Sequence, residues 1–537
     1  MSWSVRYSLK LPRVSLTTMP NKPRILWADD EIELLRPHIL FLEAKGYEVT
    51  SVTNGADAIE QVRRQHFDVV LLDEQMPGMG GLATLAEIKA LAPELPIVLV
   101  TKSEEEQLME EALGRQISDY LTKPVNPSQI LLTCKRLLEQ PRIRSAKVSQ
   151  EYLQAFARIT AALQGPLLPE EWGDLYRRLT RFDLELEGDE GARQILEDQF
   201  REANRVFARY IEMVYPDWLA SEPGQARPIL SHEVLSRLVL PVLEEGRPVL
   251  FFVIDCMRLD QWLEFEQLLA PLFDLNTTYY FALLPTATPY ARNAIFSGLL
   301  PRDLARRYPD AWSEAEESET SRNRNEETFL NDFFERRRLR ARIRYEKLIG
   351  AADGRAFARQ VNDFLQPDLS AIVVNFVDIL AHSRSDSDVL KELAPDERAY
   401  RALTRTWFAH SWLYQAFQEL ARQRCTIILT TDHGAIRCLH PTKVVGDRET
   451  STALRFKFGR NLRCDERHAL LVRDPLPFGL PRSSVTTTYI LAKEDYYFVY
   501  PTNYHYYVNL YRDTFQHGGI SLQEMIVPLV ILRPKTI

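Results

Sequence analysis

Short apolar runs that each stop at a carboxylate recur along this chain, and few folds accommodate that pattern. Arg24 to Ala28 leads into Asp29-Asp30, Val69 to Leu72 into Asp73, Val249 to Ile254 into Asp255, and Ala371 to Val377 into Asp378. Thr426 to Leu429 runs into Thr430-Thr431-Asp432-His433-Gly434. β-rich runs of this length, separated by longer amphipathic stretches, read as strands buried between helices in parallel sheets. Open sheets of that kind hold their ligands outside the carboxyl ends of their strands. The predicted class is α/β, with the acids placed where chemistry belongs. At 537 residues the chain should hold several domains.

Asp432 and His433 are adjacent, and neighbouring side chains on a strand point to opposite faces. Both reach one target only where the strand has ended, and Gly434 is expected to supply the turn. The plain alternative is a turn with a capping Asp and a surface His. Asp378 and His382 are four apart, hence on one face of a starting helix, which is metal-ligand spacing. Phe515-Gln-His517-Gly518-Gly519 offers one more His, with two glycines to free its backbone. The chain has 10 His, and three of them fall in these motifs, which chance explains poorly. Asp and His are both good ligands for divalent metals.

These motifs resemble those of the alkaline phosphatase superfamily, in particular its PglZ branch. The resemblance implies one metal held by Asp378, His382 and His517. A second would be held by Asp255, Asp432, His433 and a nucleophilic hydroxyl. Leu284-Pro-Thr286-Ala-Thr288-Pro-Tyr-Ala-Arg292 is similar to the superfamily's Pro-Thr-x-Thr segment leading into a helix. Thr288 is chosen over Thr286, since phosphodiesterase members place the nucleophile just before that helix; the alternative is that both threonines cap it. A Thr hydroxyl must be deprotonated to attack, and metal coordination achieves this without a separate base. Two divalent ions roughly 4 Å apart stabilise the attacking and leaving oxygens of an in-line phosphoryl displacement. The product would be a phospho-threonine that water hydrolyses. Mixed Asp and His ligands suit two zinc ions, with manganese as the competitor. The Cys-x-Pro-x-Arg setting of a sulfatase is absent from the sequence.

Between Arg24 and about Gln140, five short runs alternate with amphipathic segments: Arg24 to Ala28, Glu48 to Val52, Val69 to Leu72, Ile97 to Val100 and Ile117 to Leu121. This predicts a five-stranded doubly wound domain. Asp29 and Asp30, Asp73, Thr101 and Lys123-Pro124 follow the first, third, fourth and fifth runs. Three carboxylates converging with a Lys and a hydroxyl would bind magnesium and make Asp73 a phosphoryl acceptor. The set resembles the flavodoxin-like response-regulator receiver family, including Asp73-Glu-Gln-Met-Pro-Gly78 and Tyr120. In that family Asp29 and Asp30 would hold the magnesium, Thr101 and Lys123 would contact the phosphoryl group, and Tyr120 would swing inward on activation. Lys102 is a departure, since receivers usually carry a small residue there. It either slows hydrolysis of the aspartyl phosphate or points to solvent.

Residues 1–22 read as a disordered extension, with Met19 a candidate start and no convincing signal peptide. The receiver-like domain is assigned to 23–140, a helical bundle linker to 141–245 and the PglZ-like α/β domain to 246–537. In the bundle, Val148 to Leu163, Glu170 to Thr180 and Gly191 to Tyr215 carry apolar residues at helical spacing. Pro169, Pro216 and Pro223-Gly224 are expected to break it. Helices that repack as units suit the transmission of a phosphorylation signal. The run from Pro301 to Gly350 is acidic from Glu314 to Glu327, then basic from Arg336 to Arg344. It reads as a solvated helix face, or else as a basic rim that guides a phosphodiester chain. Arg258 and Arg292 lie near the chemistry and would either contact phosphate or pair with Asp260 or a helix carboxylate. Tyr496 to Tyr500 and Tyr504 to Tyr507 are expected to form cross-strand core pairs. The alternative is that one exposed ring stacks a nucleobase of a short linear or cyclic oligonucleotide.

A net charge of -8 argues against nonspecific nucleic-acid or membrane binding as the main activity. The 5 cysteines lack Cys-x-x-Cys spacing and read as reduced and cytosolic. No run reaches the roughly 20 apolar residues of a membrane span, so the protein is expected not to be membrane-embedded. The order receiver, helical bundle, PglZ-like domain resembles the response regulators that control type IX secretion and gliding. That resemblance implies a cytoplasmic regulator phosphorylated by a histidine kinase and dimeric when phosphorylated. It also implies zinc-dependent phosphodiesterase activity, and contacts with a sigma factor and a membrane component of the secretion machine. The competing expectation is a binding module whose metals are structural and whose output is docking to such a partner.

Overall fold

The computed structural model describes residues 22–93, 95–102, 117–186, 189–221, 227–312, 325–446 and 453–535. The 1–22 extension up to residue 21, the Pro223-Gly224 break and most of the acidic run lie outside the described residues. The chain divides into two compact units, one up to Gln150 and one from Glu151.

In the first unit, β1 (Arg24–Ala28), β2 (Glu48–Val52), β3 (Val69–Asp73), β4 (Ile97–Thr101) and β5 (Asp119–Thr122) form one sheet in the order β2-β1-β3-β4-β5. Every pairing is parallel. Side chains alternate between two separate cores, with Ile25, Trp27 and Leu71 in one and Leu26, Val70 and Leu72 in the other. A strand covered on both faces must be apolar throughout, which is why β3 and β4 carry no alternation to read. The strand order reverses between β1 and β3, and this puts Asp29 and Asp73 at the switch point. Helices α1 (Arg36–Ala44), α2 (Gly55–Arg64) and α3 (Gly81–Leu91) cover the sheet. A Cβ at Gly81 would lie 2.4 Å from the Asp73 carbonyl, so only glycine lets α3 start that close to the acceptor strand. Helix α4 (Pro127–Leu163) follows β5.

In the second unit, α5 (Pro169–Glu185) and α6 (Glu190–Ala220) precede an α/β body. Pro169 opens α5 at its first turn, where the missing N–H costs nothing. Contrary to the expectation from the sequence, Pro216 does not end α6; the helix continues through it to Ala220. The buried stripe Asn204, Phe207, Ile211, Tyr215 and Trp218 explains this, because it packs the helix on both sides of the proline. Phe207 and Trp218 both lie against Phe281, with ring centres 6.2 and 5.3 Å apart.

The body's sheet is built from β6 (Val249–Ile254), β7 (Phe273–Phe281), β8 (Ile343–Leu348), β9 (Leu369–Val374), β10 (Thr426–Thr430) and β19 (Ile526–Pro534), in the order β7-β19-β10-β6-β9-β8. β8, β9, β6 and β10 are parallel, and β19 runs antiparallel to β10 and β7. Every residue of β6, β9 and β10 is buried. Helices α7 (Leu259–Leu269), α8 (Thr288–Ser297), α9 (Glu326–Arg336), α10 (Phe376–Asp386) and α11 (Glu397–His410) flank the sheet.

Three small sheets lie beyond the strand ends. They pair β11 (Ile436–Cys438) with β18 (Thr514–Gln516), place β12 (His440–Val445) between β14 (Arg463–Cys464) and β17 (Tyr496–Val499), and set β16 (Thr488–Ala492) between β13 (Phe456–Gly459) and β15 (Ala469–Val472). Two expectations change here. The run Ala371 to Val377 is not one strand: β9 stops at Val374, and Phe376-Val377 already begin α10. Tyr504 to Tyr507 lie on helix α12 (Tyr504–Tyr511), with Tyr506 exposed, rather than on a strand. The basic run is likewise not one helix face, since Arg336 ends α9 and Arg344 lies in β8 with its guanidinium over Phe364.

Candidate active site

The four strand-end motifs of the second unit meet at the carboxyl ends of β6, β9 and β10. Asp378, His382 and His517 form one trio and Asp255, Asp432 and His433 another; within each, ligand atoms lie within 4.8 Å of one another. The trios are contiguous, because the rings of His433 and His517 stack with centres 4.3 Å apart. His382 is half exposed and opens one edge of the first trio, whereas the second is entirely buried.

Backbone carbonyls orient two of the imidazoles. His433 Nδ1 faces the Gly434 carbonyl at 3.1 Å, and His517 Nδ1 faces the Thr286 carbonyl at 3.3 Å. A carbonyl only accepts, so Nδ1 carries the proton and each Nε2 presents a lone pair. His433 Nε2 is 3.2 Å from Thr288 Oγ1, and His517 Nε2 is 3.8 Å from Asp378 Oδ1. Thr288, the first residue of α8, also lies 3.4 Å from Asp255 Oδ1. Thr286 faces away from both trios: its hydroxyl donates to the Gly519 carbonyl at 2.8 Å and accepts from the Gly518 amide at 3.1 Å.

Asp255 is held from one side. Its Oδ2 accepts from Arg292 Nη1 and, at 2.9 Å, from Asn375 Nδ2, which leaves Oδ1 directed toward Thr288 and His433. Arg292 in turn donates through Nε to Glu326 at 2.6 Å, and Glu326 also receives the Tyr345 hydroxyl. Arg292 thus takes the pairing role weighed for it in the sequence, on the helix carboxylate Glu326. Arg258 likewise forks onto Asp260, at 2.9 and 2.5 Å. Sequence reasoning missed Glu326 and Asn375. Glu326 sits in an acidic run that looks solvated, and Asn375 directly follows β9 with no neighbouring charge to draw attention.

Burial raises the carboxyls of both Asp255 and Asp432, against the opposing charge of Arg292. Burial, then the charge of His517, lowers His433 far below the usual imidazole range. For Asp378 burial is outweighed by the hydrogen bond and charge of His382 and the charge of His517, which bring its carboxyl down to about 2. Asp432 Oδ2 is fully buried and accepts no hydrogen bond. A buried carboxylate oxygen with no hydrogen bond, only the Arg292 guanidinium at 3.8 Å, beside imidazole lone pairs is a donor set that fits divalent metal.

In the first unit, Asp29, Asp30 and Asp73 form a third acidic trio, with Asp29 and Asp73 buried and Asp30 exposed. Lys123 Nζ reaches Asp29 at 2.8 Å and Asp73 at 3.0 Å. Burial raises the Asp73 carboxyl; Lys123 opposes this and Asp29 and Asp30 add to it. Thr101 donates to Glu74, and Tyr120 stands outward, 41% exposed. Lys102 lies in an exposed pair at the surface, its Nζ 3.5 Å from Glu31.

Comparison with known proteins decides the family. Residues 234–532, more than half of the chain, match the model of the BREX system PglZ alkaline phosphatase-like domain. The chain belongs to the PglZ family. Ahead of the PglZ domain, residues 25–135 match the response regulator receiver domain and residues 142–219 the PorX response regulator linker domain. The three in this order reproduce the PorX architecture. Among individual proteins, 114 residues are 40% identical to the transcriptional regulatory protein ZraR of Escherichia coli K12, over 21% of this chain and 26% of that one. A further match, over 123 residues at 34% identity, is to the alginate biosynthesis transcriptional regulatory protein AlgB of Pseudomonas aeruginosa, covering 23% of this chain and 27% of that one. The chain thus spans about a quarter of the length of these relatives. Among solved structures, a CheY-like receiver domain from Methanospirillum hungatei JF-1 is 28% identical, covering 22% of this chain and 94% of its own, with a TM-score of 0.21. CheY4 of Vibrio cholerae is 27% identical, covering 22% and 98%, with the same score.

One chain thus carries a receiver domain and an alkaline phosphatase-like PglZ domain. Receiver domains bind Mg²⁺, and alkaline phosphatase-like domains depend on metal. No helix among the described residues is long and apolar enough to cross a membrane.

Proposed function

We propose that the PglZ domain is a phosphodiesterase acting on short linear or cyclic oligonucleotides, with Thr288 as nucleophile, and that phosphorylation of Asp73 controls it. The observation that carries this reading is the position of Thr288 Oγ1, 3.2 Å from His433 Nε2 and 3.4 Å from Asp255 Oδ1, beside the buried Asp432 carboxylate oxygen that accepts no hydrogen bond. Asp378, His382 and His517 would hold one zinc ion, and Asp255, Asp432, His433 and Thr288 a second. Bound there, the two ions would lower the pKa of the Thr288 hydroxyl and neutralise charge on the phosphoryl oxygens.

Thr288 Oγ would then attack phosphorus as its proton passes to water, and the opposite P–O bond would break, the departing oxygen taking a proton from water to become a nucleoside hydroxyl. Water hydrolyses the resulting phospho-threonine, which returns Thr288 and a phosphomonoester. Arg292 and Asn375 hold Asp255 in register throughout. The exposed Tyr506 on α12 offers a face on which a nucleobase can stack.

In the receiver, Asp29, Asp30 and Asp73 would hold magnesium, and a phosphoryl group on Asp73 would draw Thr101 from Glu74 while Tyr120 turns inward. We take 23–140, 141–245 and 246–537 as the working domains of a cytoplasmic regulator that dimerises when phosphorylated and acts in type IX secretion through a sigma factor and a membrane component.

The test is hydrolysis of a chromogenic phosphodiester and of short oligonucleotides by the zinc-loaded protein and by Thr288→Val, each with and without acetyl phosphate. Turnover by the wild type alone supports the reading. If neither protein turns over while both bind two metals, the domain is a docking module with structural metals.

A further inference from the structure

The last helical turn of the chain, α13 (Leu522–Met525), lies where both metal-site glycine motifs can be held at once. Its backbone meets the first of them. The Gly434 amide donates to the Glu524 carbonyl at 3.1 Å, and a Cβ at Gly434 would lie 2.0 Å from the Gln523 carbonyl. Gly434 is therefore required for close approach to α13, and not for the turn that the sequence led one to expect. The Glu524 side chain meets the second motif: Oε1 accepts from the Gly519 amide at 2.8 Å. Glu524 is itself fixed, accepting from Ser521 Oγ and from Arg455 Nη2, each at 2.6 Å, with all three side chains fully buried. One turn of helix thus clamps the residue after His433 and the second residue after His517, which belong to different trios.

That clamp is anchored from outside the sheet. Asn204, buried in the middle of α6, accepts from the Leu522 amide at 2.8 Å and donates to Gln523 Oε1 at 3.0 Å. Three turns further along the same face, the Tyr215 hydroxyl accepts from the Leu284 amide at 2.9 Å, at the start of the loop that carries Thr288. A linker helix that only joined two domains would need neither contact, since an apolar stripe would dock it.

We propose that Asn204 on the linker helix and Glu524 on α13 are positioning residues that set the spacing of His433 against His517, and so make metal affinity depend on where α6 sits. The proposal rests on the two trios being metal sites, as read above, but not on any particular reaction. Outer-shell partners of metal ligands typically change affinity 10–100-fold when removed.

The test uses Co²⁺, whose visible absorption reports ligand geometry without any turnover. The full-length protein is titrated with Co²⁺ beside Asn204→Leu, Asn204→Asp and Gln523→Leu, with the melting temperature of each metal-free chain recorded. Asn204→Leu is expected to bind Co²⁺ about tenfold more weakly with a shifted absorption band. Asn204→Asp, which keeps an acceptor for the Leu522 amide, should recover most of that loss. Gln523 is only half-buried, so Gln523→Leu folds and should weaken binding severalfold even where the Asn204 variants do not fold. Wild-type affinity and spectrum in a folded Asn204→Leu or Gln523→Leu protein would overturn the proposal, as would a wild-type chain that binds no Co²⁺. A wild type that binds Co²⁺ but cleaves no phosphodiester overturns the phosphodiesterase reading alone, and the affinities then decide this one.

Discussion

Replacing Arg292 with Met removes the one cation among the described residues that pairs with the second trio, and the structure sets the size of the effect. Arg292 is 1% exposed, with Asp255 at 2% and Glu326 at 0%, so solvent screens none of the three. Each carboxylate at ion-pair distance attracts the guanidinium by about 4 kcal/mol at an effective dielectric constant near 20. Desolvation offsets most of that, and removing one member of such a buried set costs about 3–5 kcal/mol, because Asp255 loses its cation and Glu326 keeps only Lys347 at 3.7 Å and the Tyr345 hydroxyl. The loss should depend on metal, since a divalent ion at Asp255 and Asp432 restores the missing positive charge to Asp255 but not to Glu326. Urea unfolding, followed by hydrogen exchange in β6 and β10, should show Arg292→Met about 3–5 kcal/mol below wild type in EDTA and about half of that deficit in saturating zinc. A deficit under about 1 kcal/mol in EDTA, or one that zinc leaves unchanged, would refute the argument.

Asp260 gives a pH prediction. Burial would raise its carboxyl, but Arg258 and Arg401 hold it at about 2, below the unfolded value near 3.9. A depressed carboxyl stabilises the fold fully above the unfolded value, and that stability is lost as pH falls toward 2, here about 2–3 kcal/mol. The difference in unfolding free energy between wild type and Asp260→Asn should therefore shrink between pH 4 and pH 2, and a constant difference would count against it. Gly434→Ala should cost about 1–3 kcal/mol, measured by urea unfolding, because its Cβ meets backbone that cannot rotate away. In the receiver, acetyl phosphate should label wild type and not Asp73→Asn on a phosphate-affinity gel. Lys102→Ala, which frees Glu31 at the mouth of the acid trio, should shorten the lifetime of that label severalfold; an unchanged lifetime assigns Lys102 to the surface pair alone.

The ligands could be read in the sequence because parallel strands force them into a pattern. A buried strand must be apolar to its last residue, so the first carboxylate or imidazole after it marks the strand end, and Asp29, Asp73, Asp255, Asp432 and His433 all stand there. Asp378 and His382 are legible by a different rule, helical spacing, which says nothing of where the preceding strand ends, so the strand expected to Val377 stops at Val374. The helix α12 was misread because alternating Tyr residues satisfy a strand as well as one face of a short helix. Pro216 was misread for a related reason: local propensity ends a helix there, and only the tertiary stripe from Asn204 to Trp218 carries it through.

The supporting residues leave no such trace, and the reason is geometric. Glu326 is 71 residues from the Asp255 loop that it serves through Arg292, a separation given by 326 and 255 in the sequence, and its own neighbours are acidic and look solvated. Asn204 and Glu524 are 320 positions apart and are joined through the Leu522 amide and the Gln523 side chain. A ligand is recognised by what it must be, whereas a residue that positions a ligand is defined by what it touches. Any donor or acceptor of the right length serves, so residue type at these places carries little information. The consequence for this chain is specific. The strand-end rule finds the trio residues, but the contacts that tie them to α6, Asn204 to α13 and Tyr215 to the Thr288 loop, emerge only once α6 is seen lying across both. Those contacts are buried hydrogen bonds from α6 that end on backbone amides, one at the start of the Thr288 loop and one at the start of α13.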